Sequence, residues 1–221
     1  MAILNRDIPQ IRLVSVDEIS AQLLDEYVHG YLMNRDRLGV PLRKQLVNHL
    51  YAVTEGETLV VDCRGIEEMT TSVAEEIGPR LFEEFLAHRD QGNDVYLAYC
   101  NVSGEIASGL EGAFRTWQPS LDPPRRMTIV VFGSCRDNRF TQHQFLGEVL
   151  PDALRDTLDL VYRLGQTNSS DLKTRGIKAA SRKLNELSRQ YPWLLRKVQR
   201  SLDAGPRAWA YFYSPVVPVL G

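Results

Sequence analysis

Thr70, Thr71 and Ser72 stand in a row where an apolar run, TLVVDC, has turned at Gly65 and a long amphipathic stretch, TSVAEEIGPRLFEEFLAH, begins. Hydroxyls at a strand-to-helix junction have two uses. Each can accept a hydrogen bond from a free N–H of the first helical turn, worth about 1 kcal/mol. Each can also take a phosphate, which the positive end of a helix favours. Glu67, Glu68, Glu75 and Glu76 flank the row and would repel a phosphate dianion; they read as a solvated acidic face. Capping by Thr71 is the expected role, with phosphorylation of Thr71 or Ser72 as the alternative.

A second set of residues suits a different chemistry. Lys178, Ser181, Arg182, Asn185 and Arg189 recur near i, i+3, i+4, i+7 and i+11, which makes one stripe along a helix. Cations hold phosphates, while arginine and asparagine can read guanine and adenine edges. Catalytic patterns are weaker. Asp62 ends a strand, a common place for chemistry in α/β proteins. However, no Gly-rich phosphate loop or GxSxG elbow follows a strand, and GSCRDNR lacks a phosphatase's Cys-to-Arg spacing. No catalytic residue is expected. Cys63, Cys100 and Cys135 are scattered beside or inside apolar runs, and His29, His49, His88 and His143 are dispersed. Reduced, buried thiols follow, with no metal and no cofactor.

The elements that must position these residues differ between the two halves. Residues 1–135 carry 12 Lys/Arg against 20 Asp/Glu, net −8, and residues 136–221 carry 14 against 8, net +6. Such a split points to different partners for each half. In the first half, IRLVSV precedes a helix from Asp17 with Leu23, Leu24, Tyr27, Val28 and Tyr31 on one side. A second helix carries Leu42, Leu46, Leu50 and Val53. Strands TLVVDC, DVYLAYC and RRMTIVVFG then alternate with helices TSVAEEIGPRLFEEFLAH and SGEIASGLEGAF. Alternation of this kind implies parallel strands with helices packed on them. No apolar run approaches the length of a membrane span, and no secretory signal opens the chain, so a cytoplasmic protein with no membrane partner is expected.

LGVPLRKQL, TLVVDCRGIEEMTTSVAEEI and LAYCNVSGEIASGLEGAF together resemble a STAS or STAS-like domain, the module of anti-sigma-factor antagonists and their scaffold relatives. The resemblance rests on the Asp-x-x-Gly-Ile turn and the hydroxyl-rich helix start. It implies contacts with a regulatory protein or kinase, and its phosphorylated hydroxyl would fall on Thr71. Thr70 stands where the family has an aspartate, while Val73 and Ala74 resemble scaffold-type members.

In the second half, LPDALRDTLDLVYRLG is a helix with Leu154, Leu158 and Val161 inward, ended by Gly165. A short helix around Leu172 follows, then a third from Ile177 with Ala180, Leu184 and Leu187 inward. LLRKVQRSL and RAWAYFYSPV read as a hairpin about DAGP, with Trp209, Tyr211 and Tyr213 on its inner face. From Gln166 to Tyr213 ten Lys/Arg stand against Asp171, Glu186 and Asp203. Three helices and a basic hairpin resemble a winged helix-turn-helix domain, which implies double-stranded DNA as partner. Arg196, Lys197, Arg200 and Arg207 on the hairpin join the stripe as expected DNA contacts. The full expectation is an α/β STAS-like domain over 1–135, a linker over 136–144 and an α+β winged helix-turn-helix over 145–221. Its function would be transcriptional regulation without enzymatic activity. The rival is an adaptor that binds proteins only, and a homodimer is left open in either case.

Overall fold

The computed structural model describes residues 9–25, 27–117, 127–201 and 209–219. The fold is mixed α/β around a mostly parallel five-stranded sheet. Strand β1 (Ile11–Ser15), β3 (Thr58–Asp62), β5 (Tyr96–Cys100) and β6 (Thr128–Arg136) run parallel in that order, and β7 (Arg139–Gly147) closes the sheet antiparallel to β6. All five residues of β3 and of β5 are buried, as continuous apolar runs require when both faces of a sheet are covered.

The expected parallel strands and crossover helices are present, but the first helix is shorter than its apolar pattern suggests. Helix α1 (Val16–Leu23) is capped by Ser15, which accepts from Glu18 N, and it stops where Leu24 turns extended. Asp17 gathers the following segment by accepting from the Tyr27 hydroxyl at 2.8 Å and Gly30 N at 3.2 Å. Gly30 has φ +87°, and a Cβ there would lie 2.8 Å from Gly65 O. The short strand β2 (Tyr31–Leu32) then pairs with β4 (Glu68–Met69). Tyr27, Val28 and Tyr31 are therefore not helical.

A π-helical turn, Arg35–Gly39, leads into α2 (Val40–Tyr51), whose Leu42, Leu46 and Leu50 are buried as expected. Helix α3 (Thr71–Glu75) passes through a second π turn, Glu76–Arg80, into α4 (Leu81–Asp90). Pro79 lies inside that turn, where its missing N–H is accommodated by the altered hydrogen-bond ladder. Helix α5 (Gly104–Thr116) joins β5 to β6. These helices cover one face, to which Tyr99 reaches by donating to Ile77 O at 2.6 Å.

The second half covers the other face. It comprises α6 (Asp152–Leu164), α7 (Ser169–Thr174), α8 (Ala180–Gln190) and the hairpin of β8 (Arg196–Ser201) and β9 (Trp209–Ser214). Tyr162 packs on Phe132 and Phe145 and donates to Leu194 O at 2.8 Å. Trp193 Nε1 donates to Thr128 O at 2.7 Å, Thr58 Oγ1 to Val216 O at 2.5 Å, and Phe140 N to Pro218 O at 3.0 Å. The buried apolar residues of both halves form one connected cluster. The stretch 136–144, expected as a linker, instead ends β6 and forms most of β7. Asp137 and Asn138, at φ 49° and 58°, make the tight turn between the strands, with the paired left-handed backbone of a type I′ hairpin. Among the described residues no helix is long and apolar enough to cross a membrane.

Glu76 departs most from the expected solvated acidic face. It is 1% exposed. Its carboxylate accepts from Arg35 Nε and Arg43 Nε, each at 2.8 Å, and pairs by charge with Arg80 Nε at 3.3 Å. Arg43 extends to Glu84 at 3.0 Å, and the Arg80 guanidinium lies 4.6 Å over the Trp117 ring. Burial raises the Glu76 pKa, but the hydrogen bonds from Arg43 and Arg35 and the charges of Arg43 and Arg80 outweigh it and hold the carboxyl below its ordinary 4.5. The lowered folded pKa means that this stabilisation is complete above the unfolded value and is lost as pH falls through the folded one. Glu76→Gln should cost about 1–3 kcal/mol in urea unfolding near neutral pH, because it leaves three half-exposed guanidinium groups without the carboxylate they share. The variant should also lack part of the wild-type loss of stability in acid; an unchanged acid profile would remove Glu76 as its source.

Candidate nucleic-acid interface

The third helix of the second half forms because Ala180, Leu184 and Leu187 recur on one face and are buried against α6 and α7. It starts later than its pattern implies. Gly176 at φ 89° and Ala179 at φ 53° turn the chain, and the helix begins only at Ala180. Helix α7 is fixed by Asn168, whose side chain accepts from Ser170 N and Asp171 N at 2.8 and 3.0 Å. Lys178, Ser181, Arg182, Asn185 and Arg189 all face solvent, as the stripe requires. Among the described residues Lys173, Lys178, Arg182 and Arg189 form no ion pair. An open groove of about 1190 Å³ runs between α7 and the start of α8, lined by Ser169, Lys173, Lys178, Ser181, Arg182 and Asn185. Asn185 Oδ1 accepts from the Tyr213 hydroxyl at 3.3 Å, which ties the stripe to β9.

The hairpin carries fewer of the expected contacts. Lys197 is exposed, its ammonium 4.2 Å from the Tyr211 ring. Arg196 faces the other way because neighbours along a strand alternate. Its guanidinium lies 4.9 Å over Tyr96 of β5, and Nε is buried with no hydrogen-bond partner among the described residues. Burial lowers its pKa, opposed by the charges of Tyr96 and Asp94. Arg200, on the same side as Arg196, packs over Phe212 at 5.2 Å. Arg196 is thus a packing residue of the interface between hairpin and sheet, not an outward contact. Arg207 and the turn at Gly205 lie outside the described residues. Tyr213 is buried as expected of an inner face, but Tyr211 is 49% exposed. The backbone of Thr167, between α6 and α7, pairs with Tyr213 in both directions at 2.9 and 2.8 Å and extends the hairpin by a third, one-residue strand.

The hydroxyl row of the first half does not cap by Thr71. Thr70 holds the N-cap position, and its hydroxyl reaches Leu32 O at 3.4 Å and Ser72 Oγ at 3.3 Å, making no cap bond. Thr71 is the first helical residue and is exposed, while Ser72 is half-buried.

At the sheet's C-terminal end, Asp62 Oδ1 accepts from Arg64 N at 2.9 Å and Asn101 Nδ2 at 2.7 Å. Asn101 Oδ1 accepts from Cys135 N at 3.0 Å, and the Arg64 guanidinium donates to Cys135 O at 3.1 Å. This is a staple across the ends of β3, β5 and β6. The thiols beside it are buried, and burial pushes Cys63 up to about 12 and raises Cys100 and Cys135. Such thiols stay protonated at neutral pH and are poor nucleophiles.

Neither a family model, nor a curated protein, nor a solved structure matches this chain. The half-buried Arg196 and the exposed Thr71 should differ in what they contribute to stability. Arg196→Ala should cost about 1–2 kcal/mol of stability through lost stacking and packing, whereas Thr71→Ala should stay within about 0.5 kcal/mol, as for an exposed site without a cap bond. Urea titrations of both variants measure this. A Thr71→Ala loss as large as that of Arg196→Ala would restore the capping role.

Proposed function

We propose that this chain is a non-enzymatic DNA-binding regulator. In this reading its α/β half is a STAS-like interaction domain, and α6 to β9 act as a winged helix-turn-helix. The observation that carries the reading is the row Lys173, Lys178, Arg182 and Arg189, exposed and without ion pairs among the described residues, with Ser181 and Asn185 between its members. Cations left unpaired on one face offer a phosphate backbone the charge that salt bridges would otherwise consume. The order helix, bridge at Thr167, two helices and hairpin also supports it.

Residues at the start of a recognition helix meet base edges, so Ser181 and Arg182 in the first turn of α8 have that role, with Asn185 one turn on. Arg182 suits guanine and Asn185 adenine. Lys178 and Arg189, before and at the end of the helix, would hold phosphates, and Lys197 would do so from the hairpin. Arg196 has no part in this surface.

A gel-shift series with the full-length protein and random duplex tests the proposal. Binding at low salt should weaken as salt rises, with a log–log slope of about −0.9 per neutralised phosphate. The Lys178→Ala/Arg189→Ala double variant should flatten that slope by up to about two units, while Arg196→Ala, kept below its unfolding transition, should leave it unchanged. Absence of binding at low salt, or equal slopes in the double variant and wild type, would overturn the DNA reading in favour of a protein-only adaptor.

A further inference from the structure

The segment after α1 exposes large apolar side chains where the fold gives them nothing to cover. Val28 is 64% exposed, Met33 50% and Tyr31 39%. With Leu24, Tyr27 and Leu38 they line a groove of about 420 Å³. A contiguous apolar surface of this kind marks an interaction site more often than scattered single residues do.

The rim supplies the sign of the partner. Asp17 Oδ1 takes the hydroxyl of Tyr27 at 2.8 Å, and Glu67 Oε2 takes that of Tyr31 at 3.0 Å, so a carboxylate stands at each aromatic wall. Glu68 lies beside Glu67, and Asp25 and Asp36 are exposed on the flanking turns. Nearby basic side chains are largely committed: the His29 ring bonds Asp17 at 2.8 Å and Arg35 bonds Glu76 at 2.8 Å, which leaves Arg37 exposed in the π turn. The same face of a second copy would set carboxylate against carboxylate, which disfavours a symmetric pairing here.

We propose that this groove docks a cationic amphipathic segment of another protein, apolar side chains seated between Tyr27, Tyr31 and Met33 and Lys/Arg heads on Asp17 and Glu67. The site lies in the acidic half, so its failure leaves the DNA reading untouched.

The probes are two fluorescein-labelled helical peptides of about 18 residues, five turns, one with leucines on one face and lysines on the other, the second with glutamates for lysines. Fluorescence anisotropy is measured against the full-length protein and its Val28→Glu/Met33→Glu variant, folding being checked by circular dichroism. Both substituted positions are exposed, and the change adds negative charge. Adhesion by charge alone would therefore tighten, whereas docking in the groove should weaken by about tenfold or more. The lysine peptide should bind the wild type saturably and the glutamate peptide should not. No binding of the lysine peptide, equal binding of both peptides, or unchanged or tighter binding by the variant overturns the proposal. So does a dimer in sedimentation that the two substitutions dissolve, since that would give the groove to a second copy.

Discussion

A carboxylate deprived of water has to be surrounded by donors, and Glu76 sets that demand at the centre of the helical layer. Arg35 comes from the turn before α2, Arg43 from α2 itself and Arg80 from the carboxylate's own helix. Satisfying one side chain therefore fixes α2 against α3 and α4. The close approach this needs is visible at Gly39, where a Cβ would sit 3.3 Å from Val73 Cγ2. Arg80 carries the constraint on to Trp117, beyond the end of α5. The opposite layer is joined to the sheet by neutral donors on carbonyls, from Trp193, Tyr162 and Thr58. To these are added the Arg196 guanidinium stacked on Tyr96 and the bond of Asp159 in α6 to His143 in β7 at 3.0 Å.

The alternation of apolar runs with amphipathic stretches was enough to read β3, β5 and β6, because β3 and β5 are buried throughout and β6 over its first five residues, whereas β1, with Arg12 and an exposed Leu13 at the edge, read only as an apolar stretch. β7 was not legible in that way. RFTQHQFLG is an edge strand with polar positions facing out, and its pattern is interrupted at Gln142, which is left-handed at φ 57°. The Asp137-Asn138 pair was the available signal for its hairpin. Tyr27, Val28 and Tyr31 fell at helical spacing, yet the hydrogen bonds of Asp17 and the glycine at 30 outweigh that periodicity.

Side-chain fates divided along similar lines. The α8 stripe was legible because periodicity fixes which side of a helix is inward, and Leu184 and Leu187 set it. Glu76 looked like its glutamate neighbours, and only the distant Arg35 and Arg43 distinguish it. Arg196 looked like Lys197, but strand alternation turns one to Tyr96 and the other to water. For Thr71 the error was a single residue: the cap position belongs to Thr70. In each case the deciding partner lies far along the chain or depends on a boundary one residue away.

The short segment 215–219 has a consequence for how this chain survives its own synthesis. β7 is the last strand of the sheet, and its outer edge receives Pro218 and Val219 at Phe140. Until that segment emerges, a long strand containing Phe140 and Phe145 presents unpaired backbone to every neighbouring nascent chain. The same segment brings Val216 back to Thr58, 158 residues away in sequence, while the edge contact itself joins Phe140 to Pro218. Loop closures that distant are slow. Between translation of β7 and arrival of residues 215–219 that open edge is a liability for aggregation, and a chaperone holding it would cover the same backbone.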